Sequence, residues 1–274
     1  MHIAIAGNIG SGKTTLTQLL AKHYKWDQLQ EAVDNNPYLF DFYKDMQRWS
    51  FNLQIFFLNS RFEQLLDIRR SGRNVIQDRT IYEDAFIFAP NLHAMGLMTT
   101  RDFENYFRLF QNMDSAIQPP DLLIYLQAPV DKLVKQISER GREYENSISI
   151  EYLKRLNERY DAWIEKYDKG KLLVIDVEDN SFHNDPEDLG RIISRIDAEI
   201  HGLFPMEPSG AKSEVKVITI GKPATTNGKA TSKPVGKAVS KPAGKAAAAP
   251  VKTSAKSKPA AKKAVAKKAV AKKR

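Results

Sequence analysis

No cysteine occurs anywhere in the 274 residues. Disulfides and thiolate metal sites are therefore excluded, and the composition is compatible with a reducing compartment. No uninterrupted apolar run approaches the roughly 18 residues of a membrane-spanning helix, so no membrane association is expected. The chain enters its first expected strand at residue 2, which leaves no room for a signal peptide, and a cytoplasmic protein is the expectation. Acidic residues are nearly missing from one end. Residues 211–274 hold 18 Lys/Arg against a single acidic residue, a net +17, whereas residues 1–210 hold 24 against 32, a net −8. The overall charge of +9 thus describes neither part: a mildly acidic body carries a strongly basic tail.

From about Met206 onward Lys, Ala, Pro, Ser, Thr and Gly dominate, and Lys262-Lys263-Ala264-Val265-Ala266 repeats as Lys267-Lys268-Ala269-Val270-Ala271. Such a composition buries too little apolar surface to offset its ordering entropy. The expected division is therefore a folded domain over residues 1–205 and a disordered low-complexity tail over 206–274. Val215, Val217, Ile218 and Ile220 are the one apolar exception, read as a brief strand or contact segment.

The body is organised around Gly7-Asn8-Ile9-Gly10-Ser11-Gly12-Lys13-Thr14, followed by Thr15. The stretch fits G-x-x-x-x-G-K-[ST], the phosphate-binding P-loop. His2-Ile3-Ala4-Ile5-Ala6 ahead of it reads as a buried strand. Leu16, Leu19, Leu20 and His23-Tyr24 behind it recur at helical spacing. Glycines let backbone N–H groups crowd around phosphate oxygens, and a helix N-terminus adds partial positive charge. Lys13 reaches outer phosphates in this motif, and the Thr14 hydroxyl holds Mg²⁺. ATP and Mg²⁺ are the expected cofactors.

Further along, strands are expected at Trp26–Gln30, Asn74–Gln77, Asp121–Leu126 and Leu172–Ile175. Helices are expected at Tyr38–Asp45, Gln47–Arg70, Tyr82–Leu92, Arg101–Ile117, from Pro129 or Val130 to Glu139, Ile150–Tyr167 and Pro186–Ile200. The alternation implies an α/β fold: a parallel five-stranded sheet with helices on both faces and its site at one sheet edge.

Four features add chemistry to the loop. Glu31, just past the second strand, has the type and position to take a proton from an attacking hydroxyl; alone it reads more readily as a solvated loop glutamate. Asp78-Arg79 ends the third strand. The aspartate suits Mg²⁺ or its waters and the arginine suits phosphate, although a helix-capping salt bridge explains the pair as well. Arg140 and Arg142 flank Gly141 between two helices, which fits a mobile lid or a solvated basic turn. Gln54 and Arg61 stand seven residues apart on one helix face, where a nucleobase edge or an internal salt bridge supplies their partners.

Taken in order and spacing, these stretches resemble the deoxynucleoside kinase family, the group including deoxycytidine, deoxyguanosine and bacterial deoxyadenosine kinases. The resemblance covers about residues 1–205. It is carried by GNIGSGKTT from Gly7, Glu31-Ala32-Val33, Tyr43 with Arg48-Trp49-Ser50-Phe51-Asn52-Leu53-Gln54, Asp78-Arg79-Thr80-Ile81-Tyr82-Glu83-Asp84, Phe86-Ile87-Phe88-Ala89, and Arg140-Gly141-Arg142 followed by Glu145. It implies a P-loop kinase three-layer fold and transfer of the ATP γ-phosphoryl group to a deoxynucleoside 5′-hydroxyl. By the same resemblance Glu31 is the general base, Arg79 supports the 5′ position, and Tyr43 and Glu145 hold the 3′-hydroxyl. Gln54 bonds the base, Phe88 stacks on it, and Arg61 with Asp84 forms the polar end of the base pocket. Arg140 and Arg142 are lid arginines, and a homodimer is implied, with the Gln47–Arg70 helix able to serve.

Two departures stand out. The family often has Glu-Arg-Ser where this chain has Asp78-Arg79-Thr80, so the shorter Asp78 is expected to meet Mg²⁺ through water. Ala32 follows Glu31 where many members have proline. Deoxyadenosine is the expected substrate, with deoxyguanosine and deoxycytidine weaker. A thymidylate-type monophosphate kinase is a rival, although Glu31 stands where it would need cations for the acceptor phosphate. A P-loop ATPase whose basic tail binds DNA or RNA is another.

Overall fold

The computed structural model describes residues 1–33, 36–142, 145, 148–178 and 182–202. The basic tail, with the apolar Val215–Ile220 exception, lies outside the described residues.

Five parallel strands form one sheet. They are β1 (His2–Gly7), β2 (Asp27–Leu29), β3 (Val75–Asp78), β4 (Leu122–Gln127) and β5 (Lys171–Asp176), in the spatial order β2-β3-β1-β4-β5. Their alternation of side chains divides two cores. Ile3, Ile5, Ile76, Ile124 and Ile175 face one side, where they meet Leu16 and Leu20 of α1 (Lys13–Tyr24), Leu133 of α7 (Val130–Arg140) and Ile192 of α9 (Pro186–His201). Ala4, Ala6, Leu123, Tyr125 and Val174 face the other. There the sheet carries α2 (Leu39–Lys44), α3 (Met46–Ser71), α5 (Ala89–Ala94), α6 (Thr100–Asp114) and α8 (Ile150–Ile164). The expected three-layer α/β architecture is thus present.

The strand order reverses at β1, which pairs with β3 on one side and β4 on the other. Crevices at such a reversal, beyond the carboxyl ends of the strands, are where open α/β sheets bind ligands. The register puts Ile5 opposite Asp78 and Gly7 opposite Leu126. Consequently the phosphate loop and the Asp78-Arg79 corner emerge side by side.

The long α3 begins at Asp45, whose carboxylate accepts from the Arg48 amide, and stops at Gly72 in a left-handed conformation. Its buried face runs through Leu53, Gln54, Phe57, Leu58, Arg61 and Leu65. The edge strand β2 is shorter than expected, three residues rather than Trp26–Gln30.

One expected helix differs in kind. Tyr82–Leu92 reads as a regular helix in the sequence. The chain instead forms a single turn α4 (Ile81–Glu83), a π-helical turn over Asp84–Phe88, then α5. The reason is Pro90, which has no N–H to give to the carbonyl four residues back and whose ring crowds it. The Ala89 amide reaches the Asp84 carbonyl instead, an i+5 bond that widens the turn.

Candidate active site

The phosphate loop begins where β1 ends. Gly10 (φ +84°) and Gly12 (φ +91°) hold left-handed conformations. A Cβ on Gly10 would stand 2.9 Å from the Leu133 carbonyl, and one on Gly12 would stand 3.0 Å from the Phe182 ring. Both positions therefore need glycine. The N-cap of α1 is Gly12, with no side-chain cap, so the first-turn N–H groups of α1 are left open for an anion. Lys13 is buried and donates to the Asn8 carbonyl at 2.8 Å. Burial first, then the nearby Arg79 charge, brings its ammonium down to about 8.

The Thr14 hydroxyl donates to Asp78 at 2.5 Å. The other oxygen of Asp78 is buried without a hydrogen-bond partner, and burial raises its pKa. Asn8 and Ser11 hold no open position, being 2% and 1% exposed. The Asn8 amide turns away from the loop to Leu153 and Asn157 of α8.

Two clefts flank this loop. One, lined by Gly12, Thr15, Gln18, Lys132, Lys135 and Phe182 among others, has a volume of about 920 Å³. The second is lined by Ile9, Glu31, Tyr43, Gln54, Asp78, Arg79, Asp84, Phe88 and Glu145, with Leu39, Phe42, Leu53, Phe57 and Tyr152 as its apolar wall. Its volume of about 130 Å³ is roughly ten times what one buried water needs, so it is sized for an organic molecule. Gly10, Lys13, Thr14, Arg140 and Arg142 line both clefts.

The second cleft gathers most of the expected acceptor residues. Glu31 is held by two guanidiniums at one oxygen: Arg61 Nη2 donates to it at 2.8 Å, and Arg79 Nε lies 3.1 Å away. Burial alone would raise the carboxyl, but Arg79 and Arg61 together outweigh it and bring it down to about 2. Gln54 is buried with its side-chain oxygen unpartnered. Phe88 lines the cleft with Arg79 over its ring at 4.6 Å. Arg140 grips Glu145 through two nitrogens, at 2.5 and 3.1 Å, and Arg142 stands 3.6 Å from the same carboxylate. Gly141, at φ +65°, ends α7 and turns the chain between the two arginines. Arg61 differs from its expected place. It does not line the cleft but lies behind its wall, 1% exposed, with Nε 2.8 Å from Asp84.

Arg79 is a non-glycine residue at φ +71°, a conformation that persists only where the surroundings fix it. Two residues that motif reading missed supply that hold. The Arg79 guanidinium donates to Glu83 at 3.1 Å and to Tyr160 of α8 at 2.8 Å. Glu83, fully buried, also accepts from the Gly7 and Thr80 amides. Glu83 was readable as the third residue of a capping box begun by Thr80. Tyr160 sits on the apolar face of α8 beside Leu153 and Leu156, where only its polar tip signals a partner. Tyr152, in the wall of the second cleft, was likewise missed.

A glycine phosphate loop at the reversal of a parallel sheet, between an open cleft and a carboxylate-bearing one, defines a phosphoryl-transfer enzyme of the P-loop class. The model of the deoxynucleoside kinase family matches residues 3–201. The chain is 40% identical over 201 residues to the deoxyadenosine/deoxycytidine kinase of Bacillus subtilis, covering 73% of this chain and 93% of that one. It is 39% identical over 226 residues to the deoxyadenosine kinase of Dictyostelium discoideum, covering 82% and 87%. A solved structure of deoxyadenosine kinase from M. mycoides with bound dATP superimposes with a TM-score of 0.64 at 28% identity, covering 72% of this chain and 99% of that one. The chain belongs to the deoxynucleoside kinase family. It is a kinase, a phosphotransferase that binds nucleotide and acts on a deoxynucleoside.

Proposed function

We propose that this kinase transfers the γ-phosphoryl group of ATP to the 5′-hydroxyl of deoxyadenosine, with deoxyguanosine and deoxycytidine as weaker acceptors. The observation that carries the reading is the shared wall of the two clefts, where Lys13, Thr14, Arg140 and Arg142 face both sides. A phosphoryl group crossing between donor and acceptor passes through that wall.

In this reading the α1 N-terminus, Lys13 and the glycine loop hold the donor phosphates. The sugar enters the second cleft with its 3′-hydroxyl at Tyr43 and Glu145 and its base between Gln54 and Phe88. Glu31 takes the 5′-hydroxyl proton while the O5′–P bond forms and the bond from the γ-phosphorus to its bridging oxygen breaks. Arg79, Arg140 and Arg142 hold the negative charge of the transferring group. Asp78 and Thr14 suit Mg²⁺: one Asp78 oxygen is bound by Thr14 and the other is an unpartnered buried acceptor. Bound there, the cation offsets phosphate charge.

The Bacillus subtilis relative is named for deoxyadenosine and deoxycytidine and the Dictyostelium discoideum one for deoxyadenosine, which supports this substrate class, while Gln54 and Asp84 favour a base with an exocyclic amino group. The experiment is a kcat/KM comparison across the four deoxynucleosides and their monophosphates with ATP and Mg²⁺. Deoxyadenosine leads and monophosphates fail in this reading. Lys13→Ala, folded by circular dichroism, loses transfer; retained wild-type kcat in that variant would sink the donor-site assignment.

The tail supports a second property. Its net +17 against −8 for the body suits non-specific binding of DNA, RNA or another polyanion, with affinity falling steeply as salt rises. Deleting residues 211–274 leaves catalysis intact and abolishes retention on a polyanion column at low salt; equal retention of both forms rules the property out. A homodimer through the outer side of α3 and a cytoplasmic location complete the proposal. Among the described residues no helix is long and apolar enough to cross a membrane. Light scattering of the full chain tests the dimer.

A further inference from the structure

Arg61 touches both ends of the acceptor cleft from behind. Its Nη2 donates to Glu31 at 2.8 Å and its Nε stands 2.8 Å from Asp84. It is 1% exposed, so water cannot replace either partner. The Phe57 ring lies 5.1 Å from its central carbon and limits its tilt.

The two ends are unequally satisfied. At the Glu31 end a directed hydrogen bond is made. At the other end Arg61 Nε and Asp84 Oδ2 are in contact, yet neither makes a well-aimed hydrogen bond, and the nearby Gln54 oxygen has no partner. A nucleobase that bonds Gln54 and donates to Asp84 completes this end. Asp84 then moves toward the base, and the guanidinium follows its carboxylate. Because a guanidinium is a rigid plane, a shift at Nε is a shift at Nη2.

We infer that Arg61 is a positioning residue that couples recognition of the base to Glu31, so that a fitting base loosens the Arg61 contact and frees the carboxylate for the 5′-hydroxyl. The inference rests on the roles proposed above for Glu31 and Asp84. Glu31 is held by Arg61 and Arg79 together, which makes it a weak proton acceptor. A base that leaves Asp84 unengaged leaves it so. Choice of base is then expressed in kcat, beyond any effect on binding.

The test compares kcat and KM for deoxyadenosine, thymidine and 1,2-dideoxyribose, a sugar with no base, in wild-type enzyme and in Arg61→Lys. In the wild type, kcat falls at least about tenfold from deoxyadenosine to the base-free sugar, as expected when remote binding is spent on the reacting centre. Lysine keeps the buried charge but is a point charge that cannot bridge two carboxylates in fixed geometry. In Arg61→Lys the kcat ratio therefore collapses, while deoxyadenosine keeps the lowest KM. A purely structural need for positive charge would be met by lysine and leave the ratio unchanged, which overturns the coupling. So does a wild-type enzyme whose acceptors share one kcat and differ only in KM, a result that needs no variant to fold. Failure of the underlying reading looks different: Glu31→Gln keeps full activity, or no deoxynucleoside is phosphorylated.

Discussion

The hydroxyl of Tyr160 lies 2.8 Å from the carbonyl oxygen of Gly7. A residue of α8 thereby reaches under the sheet edge to the residue that opens the phosphate loop. The same hydroxyl is 2.8 Å from Glu83 and accepts from Arg79 at 2.8 Å. The glycine loop and Arg79 are thus tied to one buried point.

That point predicts a kinetic effect from a residue outside both clefts. Tyr160→Phe keeps the ring, its stacking on Tyr125 and the fold. It removes one of the three acceptors of Arg79 Nη1 and leaves the Gly7 carbonyl with only the long 3.5 Å contact from that nitrogen, at a cost of about 1 kcal/mol of stability. Because Arg79 then moves more freely, kcat is expected to fall about tenfold, a loss of positioning, with KM for deoxyadenosine nearly constant. Steady-state kinetics and a thermal melt check this together. A lowered melting temperature with unchanged kcat would make Tyr160 a packing residue only.

A sharper loss is expected at the carboxylate in the cleft. Glu31→Gln keeps the size and can still accept from Arg61, but it cannot take a proton. General-base loss costs about 10²–10⁴-fold in rate, and that loss belongs in kcat, with nucleoside affinity little changed. A variant impaired in KM alone would move the base elsewhere and leave Glu31 as a sugar contact.

The residues that sequence reading placed well are those whose role follows from local pattern. The glycine loop between an apolar strand and a helix is visible in eight consecutive residues, and the alternation of β1 already assigns Ile3 and Ile5 to one core and Ala4 and Ala6 to the other. Gln54 and Arg61 were placed on one helix face by spacing alone, and both are buried there. Spacing could not say how deep each sits. Arg61 is drawn behind the wall by carboxylates contributed from β2's end and from the π turn, partners 30 and 23 positions away in the chain. The π turn itself escaped notice because helical periodicity is blind to one extra residue per turn; only Pro90 marked it. Tyr160 was illegible for a related reason, since its partners arrive from β1 and β3.

Acid stability offers a prediction far from the cleft. His2 is buried in β1, with its Nε2 2.9 Å from the Gln77 amide oxygen, and burial pushes its imidazole down to about 4. Unfolded, it titrates near 6.5. Between those values the unfolded chain binds more protons, so this contribution to stability is complete above about pH 6.5 and is lost as pH falls toward 4. Asp84 acts in the opposite sense across that whole window, because burial raises it to about 7 despite Arg61 and Arg79. The His2 effect must therefore be read as a difference. His2→Gln, which does not titrate, is expected to lose less stability than the wild type between pH 6.5 and 4 in urea denaturation, with equal slopes above pH 7. Parallel curves across the whole range would mean that His2 takes up its proton as readily folded as unfolded.

Base choice is the last property the cleft predicts. Gln54 presents a donor and an acceptor, and Asp84, when ionised, only accepts. Adenine offers N1 and a 6-amino group to that pair, and cytosine offers N3 and a 4-amino group. Thymine sets a carbonyl oxygen toward the carboxylate and leaves it unpaired, and a site with buried polar groups rejects such a ligand by up to roughly 10⁴-fold. Removing Asp84 alone would leave Arg61 buried with half its partners, which costs about 3–5 kcal/mol in comparable pairs, whereas removing both members of a pair is often near neutral. The informative change is therefore Arg61→Met with Asp84→Ala. It also frees Glu31 from one of its two guanidiniums, so kcat shifts for every acceptor and only the ratio between acceptors reports on the base. Measured at pH 8, above the value to which burial lifts Asp84 in the wild type, the double variant is expected to raise thymidine relative to deoxyadenosine in kcat/KM by at least about tenfold, the lower range of discrimination that buried polar groups supply. An unchanged ratio would assign the reading of the base to Gln54 and the apolar wall, with the buried ion pair holding the site's shape and nothing more.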